Sequence, residues 1–189
     1  MTITSPQCSR AGKLQSTNPS PEESLRSGSA ATLWVGPVVF SAEQTSTGLR
    51  AVAELMFVDF IGVCMDQLVN NAAKMRYMFG GQVKVPFTMM TRIGAGFGAA
   101  AQHSESYYSI FSHIPGLKGV VPSDPYTAKG LLTAAIRDDD PVVYFEHKGL
   151  YGMTGPVPEE PYELPIGKAR TVREGTDITL VGISRMTWV

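Results

Sequence analysis

Three groups of residues in this chain have the types and spacing to do chemistry. His103, in AAQHSES, is of the residue type that most often moves protons in catalysis, or it can be a plain surface histidine between Gln102 and Ser104. Phe57 and Phe60, in ELMFVDF, put two aromatic rings where a strand-like run gives way to a helix-like one. RDDDP, residues 137–141, sets three acids at the end of a helical stretch. A helix carboxyl terminus is electrically negative, so acids there call for a bound cation or a basic partner. A fourth motif, GAGFGA (94–99), superficially matches a dinucleotide fingerprint. The match is weak: a helix should follow at once and an acid should close the next strand, whereas LKGVVP has none. Glycines that let backbone pass tightly explain the loop better. His113 and His147 read as structural, no two histidines have zinc-pair spacing, and no nucleophile elbow, P-loop or kinase signature occurs.

The elements that must position these groups alternate. VAELMF, VKVPFTMMTRI, LKGVV, PVVYFEH and DITLVGI read as strands. Asp59 is the expected cap of a helix whose stripe is Ile61, Met65, Leu68, Ala72, Met75 and Phe79, stopped by Gly80-Gly81. Ser104 or Ser106 is expected to cap a short helix through YYSIFSHI. Ser123 or Asp124, ahead of Pro125, caps a third helix with Ala128, Leu131, Leu132, Ala135 and Ile136 on one face. Strand–helix alternation with crossovers of this length predicts an α/β fold: a parallel β-sheet with helices on both faces. Sites in such sheets lie at the strands' carboxyl ends, which groups the 57–60 turn, the 94–106 loop and the 121–124 turn.

Composition sets the outer limits. The 189 residues, 43% hydrophobic and 17% charged, suffice for one full core. A net charge of −1 without a basic stripe gives no support to a nucleic-acid partner, and no apolar run reaches membrane-span length. Cys8 and Cys64 lie in unlike contexts, so no disulfide is expected and a reducing, cytoplasmic setting fits. Residues 1–32 are rich in Ser, Thr, Pro and Gly and read as disordered; 33–50 follow no sustained period. The expected division is a tail at 1–47, a folded domain at 48–168 and the start of a truncated second domain at 169–189.

Four blocks in order, ELMFVDF…DQLVNNAAKMRYMFGG, AAQHSESYYSIFSHIPGLK, VPSDPYTAKGLLTAAIRDDDPVVYFEHKGLY and PIGKARTVREGTDITLVGISR, carry a family resemblance. They resemble the β subunit of the E1 component of 2-oxo acid dehydrogenase complexes, in the thiamine-diphosphate-dependent, transketolase-like superfamily, with acetoin and then pyruvate dehydrogenase β subunits most similar. The resemblance implies a pyrimidine-binding domain in which Phe60 stacks on the aminopyrimidine of thiamine diphosphate and Met56 forms an apolar wall. It implies that His103 assists proton transfer and acyl handover to a lipoyl group. It further implies that the carbonyls of Ala135 and Ile136, with Asp138 and Asp140, form a potassium site. The implied partners are an E1 α subunit, which holds the diphosphate and Mg²⁺ in an α2β2 heterotetramer, and a lipoyl-bearing E2. Phe57 is expected to be core.

The chain departs from the family in two places. A Ser-Glu pair, whose Glu protonates the cofactor's pyrimidine, should stand about fourteen residues before Gly48, but counting back reaches Trp34, and Glu43 is out of register. The text before Thr47 looks foreign to the family, and the second domain stops at Val189. Three functional expectations follow: an E1 β-type subunit, a catalytically silent truncated chain that only binds an α-type partner, or an unrelated nucleotide-binding α/β protein using residues 94–106.

Overall fold

The computed structural model describes residues 33–34 and 49–189. The polar tail expected at 1–32, and Cys8 and Glu43, lie outside the described residues. Among these residues five strands form one parallel sheet: β1 (Leu33–Trp34), β2 (Ala51–Leu55), β3 (Phe87–Ile93), β4 (Lys118–Val120) and β5 (Val142–His147), in the order β1-β2-β3-β5-β4. The sheet thus takes in Leu33–Trp34, upstream of residue 48.

β3 is the central strand, and its sequence says why. FTMMTRI is β-branched or apolar at nearly every position, and five of its seven residues are buried, as a strand covered on both faces requires. On one face Ala53, Met89, Ile93, Val143 and Phe145 pack against Val58, Ile61, Leu68 and Phe111. On the other, Val120, Val142 and Tyr144 pack against Ala135, Leu131 and Leu132. Helices cover both faces, as the alternation predicts.

The helix expected from Asp59 to Phe79 is less regular than its stripe suggests. Val58–Val63 is a 3-10 turn, Gln67–Ala72 is π-helical, and only α1 (Ala73–Met78) is α-helical. Polar side chains divert the backbone here: Asn71 Nδ2 donates to the Asp66 carbonyl and Asn70 Nδ2 to Asp66 Oδ1, offering the chain an alternative to its regular ladder. The stripe still buries Ile61, Leu68 and Ala72, while Phe79 is exposed. Asp59 caps nothing, because the turn starts at Phe57 without a side-chain cap. α2 (Tyr108–Ser112) likewise starts at Tyr107 without one, and Ser104 Oγ donates to the Ala100 carbonyl instead.

α3 (Pro125–Arg137) matches its sequence signals. Asp124 accepts from the Thr127 amide at 2.7 Å, Thr127 Oγ1 is 3.1 Å from the Asp124 amide, and Pro125 occupies the first turn. Burial pushes the Asp124 carboxyl up, but hydrogen bonds from Thr127 and the Arg170 charge outweigh it and leave the group below the usual carboxylate value.

DITLVGI is not a strand. Residues 177–183 join no strand of the sheet among the described residues, and Ile178, Leu180 and Val181 are 75–84% exposed. β propensity yields a strand only where the run pairs with an edge, and this run is not among the neighbours of any strand of the sheet. The chain ends in a 3-10 turn (Ser184–Trp188), where Ser184 Oγ donates to the Pro122 carbonyl and Trp188 Nε1 to that of Ser123.

Removing the cap should be measurable: Asp124→Ala is expected to lower unfolding free energy by about 1 kcal/mol, read from the urea midpoint at unchanged slope.

Candidate functional site

β2 delivers Leu55 and Met56 to the sheet's carboxyl edge, and an extended Phe57 (φ −139°, ψ 142°) redirects the chain into the 3-10 turn. This strand end and turn bring Phe57, Asp59 and Phe60 to one corner, with Met56 next to Phe57 in the chain. β3 ends at Ile93, and the 94–105 loop returns to its start, closed by the Gly94 amide on the Glu105 carbonyl at 3.0 Å. Gly94 (φ +99°) is obligatory there, because a Cβ would lie 2.5 Å from the His147 ring. The glycine-rich loop therefore serves close passage, as its sequence favoured.

That loop carries His103 into the corner. The His103 ring stands edge-on to Phe57 (centroids 4.5 Å apart, 73°) and to Phe60 (5.5 Å, 89°), and the two phenylalanines meet at 6.3 Å and 72°. All three pairs are edge-to-face, the geometry that ring quadrupoles favour. Phe60 and Met56 stay 37% and 45% exposed, so the corner is apolar and open on one side. Such an opening can take a flat ring. Of the three residues the family resemblance points to, Phe60 and His103 are in ring contact, and Met56 precedes Phe57 at the same edge of the sheet. Phe57 is a correction: half-buried and in contact with His103, it is a wall of this corner and not core.

Two neighbours were missed. Lys148, 9% exposed and just past β5, donates from Nζ to the His103 carbonyl and lies 5.0 Å over the Phe57 ring. Asp59 Oδ1 accepts from the amides of Ser104 (3.1 Å) and Glu105 (3.2 Å). The available signal for Lys148 was positional: it follows the strand beside the one that feeds the His103 loop.

The 121–124 turn lies at the same edge but borders a different cleft, about 240 Å³, lined by Pro122, Asp124, Tyr144, Glu146, His147 and Tyr151. His147 Nδ1 accepts from the Gly149 amide at 3.0 Å. Burial pushes the His147 imidazole below its ordinary value, and the nearby Arg185 and Lys148 charges push the same way.

Ala135, Ile136, Asp138 and Asp140 stand at the opposite edge, roughly 20 Å away along the six residues of β5. Four cations from distant parts of the chain meet the acids there. Arg50 donates to the carbonyls of Ile136 (3.3 Å) and Asp138 (2.6 Å) and to Asp139, while Lys84 pairs with Asp139 at 2.7 Å. Lys118 bonds both oxygens of Asp138 at 2.8 Å and reaches Asp140, which Arg76 also holds. The basic partner that RDDDP calls for is supplied from within the chain. Hydrogen bonds from Lys84 and Arg50 hold the Asp139 carboxyl below its usual value.

An apolar ring corner beside a histidine stands at the carboxyl edge of a parallel sheet with helices on both faces, the architecture of an α/β domain. Residues 42–154 match the transketolase, pyrimidine binding domain, and the chain belongs to that family. It is 61% identical over 140 residues to the acetoin:2,6-dichlorophenolindophenol oxidoreductase subunit beta of Bacillus subtilis (strain 168), covering 74% of this chain and 41% of that protein. The Cupriavidus necator subunit of the same name is 54% identical over 148 residues, covering 78% and 43%. The mitochondrial pyruvate dehydrogenase E1 component subunit beta-2 of Oryza sativa subsp. japonica is 46% identical over 143 residues, covering 74% and 38%. The chain thus spans about two fifths of the length of these relatives. A solved split gene transketolase, an inactive beta4 tetramer, shares the fold at a TM-score of 0.59 and 18% identity, over 77% of this chain and 44% of that one. No helix among the described residues is long and apolar enough to cross a membrane.

The depressed His147 value has a sign. Between its ordinary value of 6.5 and its lowered folded value, the unfolded chain takes up a proton that the folded chain refuses. Stability should therefore be full above pH 6.5 and fall as pH drops through the folded value. His147→Gln should flatten that part of a thermal-melt pH series; a slope that persists would assign it to another group.

Proposed function

We propose that this chain provides the pyrimidine side of a thiamine-diphosphate site, as a β-type E1 subunit, or part of one, of an acetoin or 2-oxo acid dehydrogenase. One observation carries the reading: the half-open corner of Phe57, Phe60 and His103 at the strand ends, with the exposed Met56 next to Phe57 in the chain. Phe60 would stack on the aminopyrimidine, since a flat apolar face fixes a planar heterocycle with little loss of entropy. Met56 would wall that pocket against water. Thiamine diphosphate would supply the carbon chemistry, cleaving acetoin or decarboxylating a 2-oxo acid. His103 would move a proton beside it and assist acyl handover to a lipoyl-bearing E2. An α-type subunit would hold the diphosphate and Mg²⁺ across an α2β2 assembly, in the cytoplasm, where the buried free thiol of Cys64 is at home. We read residues 48–168 as the domain that does this, with 169–189 beginning another.

Potassium at Ala135, Ile136, Asp138 and Asp140 is a weaker proposal. The ion would have to compete with Arg50 for the Ile136 carbonyl and with Lys118 and Arg76 for the carboxylates, so no step is routed through it.

A second reading, a chain that binds an α-type partner without turning over, has its own support. The carboxylate that should protonate the pyrimidine falls at Trp34, which in β1 lies opposite Glu54. Glu54 is engaged by Arg92 at 2.6 Å, and Asp59 by two amides. Acetoin- or pyruvate-dependent dye reduction after mixing with an α-type subunit, Mg²⁺ and thiamine diphosphate separates the two readings. General acid–base groups contribute about 10²–10⁴-fold, so the silent reading predicts a rate reduced by that order.

Phe60→Ala should weaken thiamine-diphosphate binding to the same mixture by about 1–3 kcal/mol, the range for stacking of a base on an aromatic side chain. Titration calorimetry measures it, and an unchanged Kd removes Phe60 from the site.

A further inference from the structure

The His103 ring is held by its neighbours, but the ring contacts alone do not fix a loop of glycines and alanines. Residues 94–102 contain three glycines at positive φ, and Ala95, Phe97, Ala99, Ala101 and Gln102 are exposed. Such a loop has few side-chain anchors of its own. Ala100 adopts φ 59° and ψ −167°, a conformation that residues with a Cβ seldom enter and that persists only where the surroundings over-determine it. The surroundings that do so lie immediately after it.

We propose that Asp59 and Lys148 are positioning residues for His103, forming a two-point clamp on the backbone either side of the peptide that follows it. Lys148 takes the His103 carbonyl, and Asp59 Oδ1 takes the amides of Ser104 and Glu105. Ser104 Oγ closes the turn on the Ala100 carbonyl at 2.6 Å, tying the strained residue to the clamped one. Each clamp residue carries a cost that packing does not explain. Lys148 is a buried ammonium that meets a carbonyl and the Phe57 face, and among the described residues no carboxylate pairs with it. Among the described residues Asp59 Oδ2 is buried without a hydrogen-bond partner, while Oδ1 serves both amides.

The two anchors come from opposite sides of the loop. Asp59 rides on the turn after β2, and Lys148 directly follows β5, the strands that flank β3. The sheet therefore fixes both ends of the clamp, and the loop that grows from the strand between them is held at its far end. Lys148 also sits on Phe57, the ring against which His103 rests, so the same ammonium holds the histidine's backbone and its wall. The proposal rests on the reading of His103 as the site's proton-transfer group only for the purpose of the clamp; the clamp itself is a statement about where the ring stands.

The test uses the full chain without cofactor, by NMR of the histidine ring Cε1–H signals and amide exchange. In the unaltered chain the His103 signal should be displaced by the Phe57 and Phe60 ring currents. Lys148→Met and Asp59→Ala should each move it to the free-histidine value while His113 keeps its own. Asp59→Ala should also speed amide exchange at Ser104 and Glu105 by about ten- to a hundredfold, as expected for bonds to a charged acceptor. Lys148→Arg retains a donor for the carbonyl and should restore the ring signal, which a purely packing role for the lysine stem would not require. A His103 signal unmoved in both truncations overturns the clamp, as does Lys148→Arg behaving like Lys148→Met. If a truncation loses signal dispersion throughout, Lys148→Arg and Asp59→Asn decide: a folded chain with His103 at the free-histidine value overturns the clamp, and a retained displacement upholds it. Failure to bind thiamine diphosphate would sink the proposed function and leave these signals untouched.

Discussion

The parallel pairing of β3 with both neighbours fixes nearly everything else about this chain. Five register pairs join β2 to β3 and six join β3 to β5, with Ile93 opposite His147 and Leu55 opposite Thr91. In a parallel ladder the strands end together, so the segments leaving β2, β3 and β5 emerge at one edge. Phe57, Asp59 and Phe60 follow the first, His103 the second and Lys148 the third. No one of these segments has a complete site. The register assembles it, and a slip by one residue would turn every side chain to the other face and separate them.

The two edges of the sheet are built from different chemistry. At the carboxyl edge, aromatic and thioether groups are left partly open, polar backbone is clamped from behind, and strain sits at Ala100. At the amino edge every acid of 138–140 is paired with an arginine or lysine. Those pairs are partly exposed and contribute little individually, but together they cancel the unfavourable meeting of three acids with the α3 carboxyl terminus. One edge leaves apolar rings partly open and the other pairs its charges within the chain.

Elements whose signals are local were legible in the sequence. Asp124-Pro125 with Thr127 at the right spacing forms a reciprocal cap, and the strand runs of β2 to β5 fall where their composition puts them. The 57–60 turn and the 94–106 loop were legible as neighbours because parallel topology brings strand ends together, and the Phe60–His103 ring contact shows them meeting. What was not legible depended on distant partners. Asp59 looked like a helix cap because an acid before an apolar stripe usually is one, but two amides forty-five and forty-six positions away compete for it. DITLVGI has every strand signal, yet among the described residues it pairs with neither edge of the sheet. The acids of RDDDP announced a cation, and only the fold could say that Arg50, Arg76, Lys84 and Lys118 supply it. The π-helical segment was hidden because its buried stripe survives the change of pitch.

The central claim is that the ring corner receives a pyrimidine. The most direct measurement is a set of intermolecular nuclear Overhauser effects between thiamine diphosphate and this chain, mixed with an α-type subunit and Mg²⁺. The account predicts contacts from the pyrimidine protons to the rings of Phe60 and His103 and to the Met56 methyl. Contacts confined to the amino-edge cleft lined by Arg76, Tyr77 and Lys118, with none to Phe60 or His103, would contradict it.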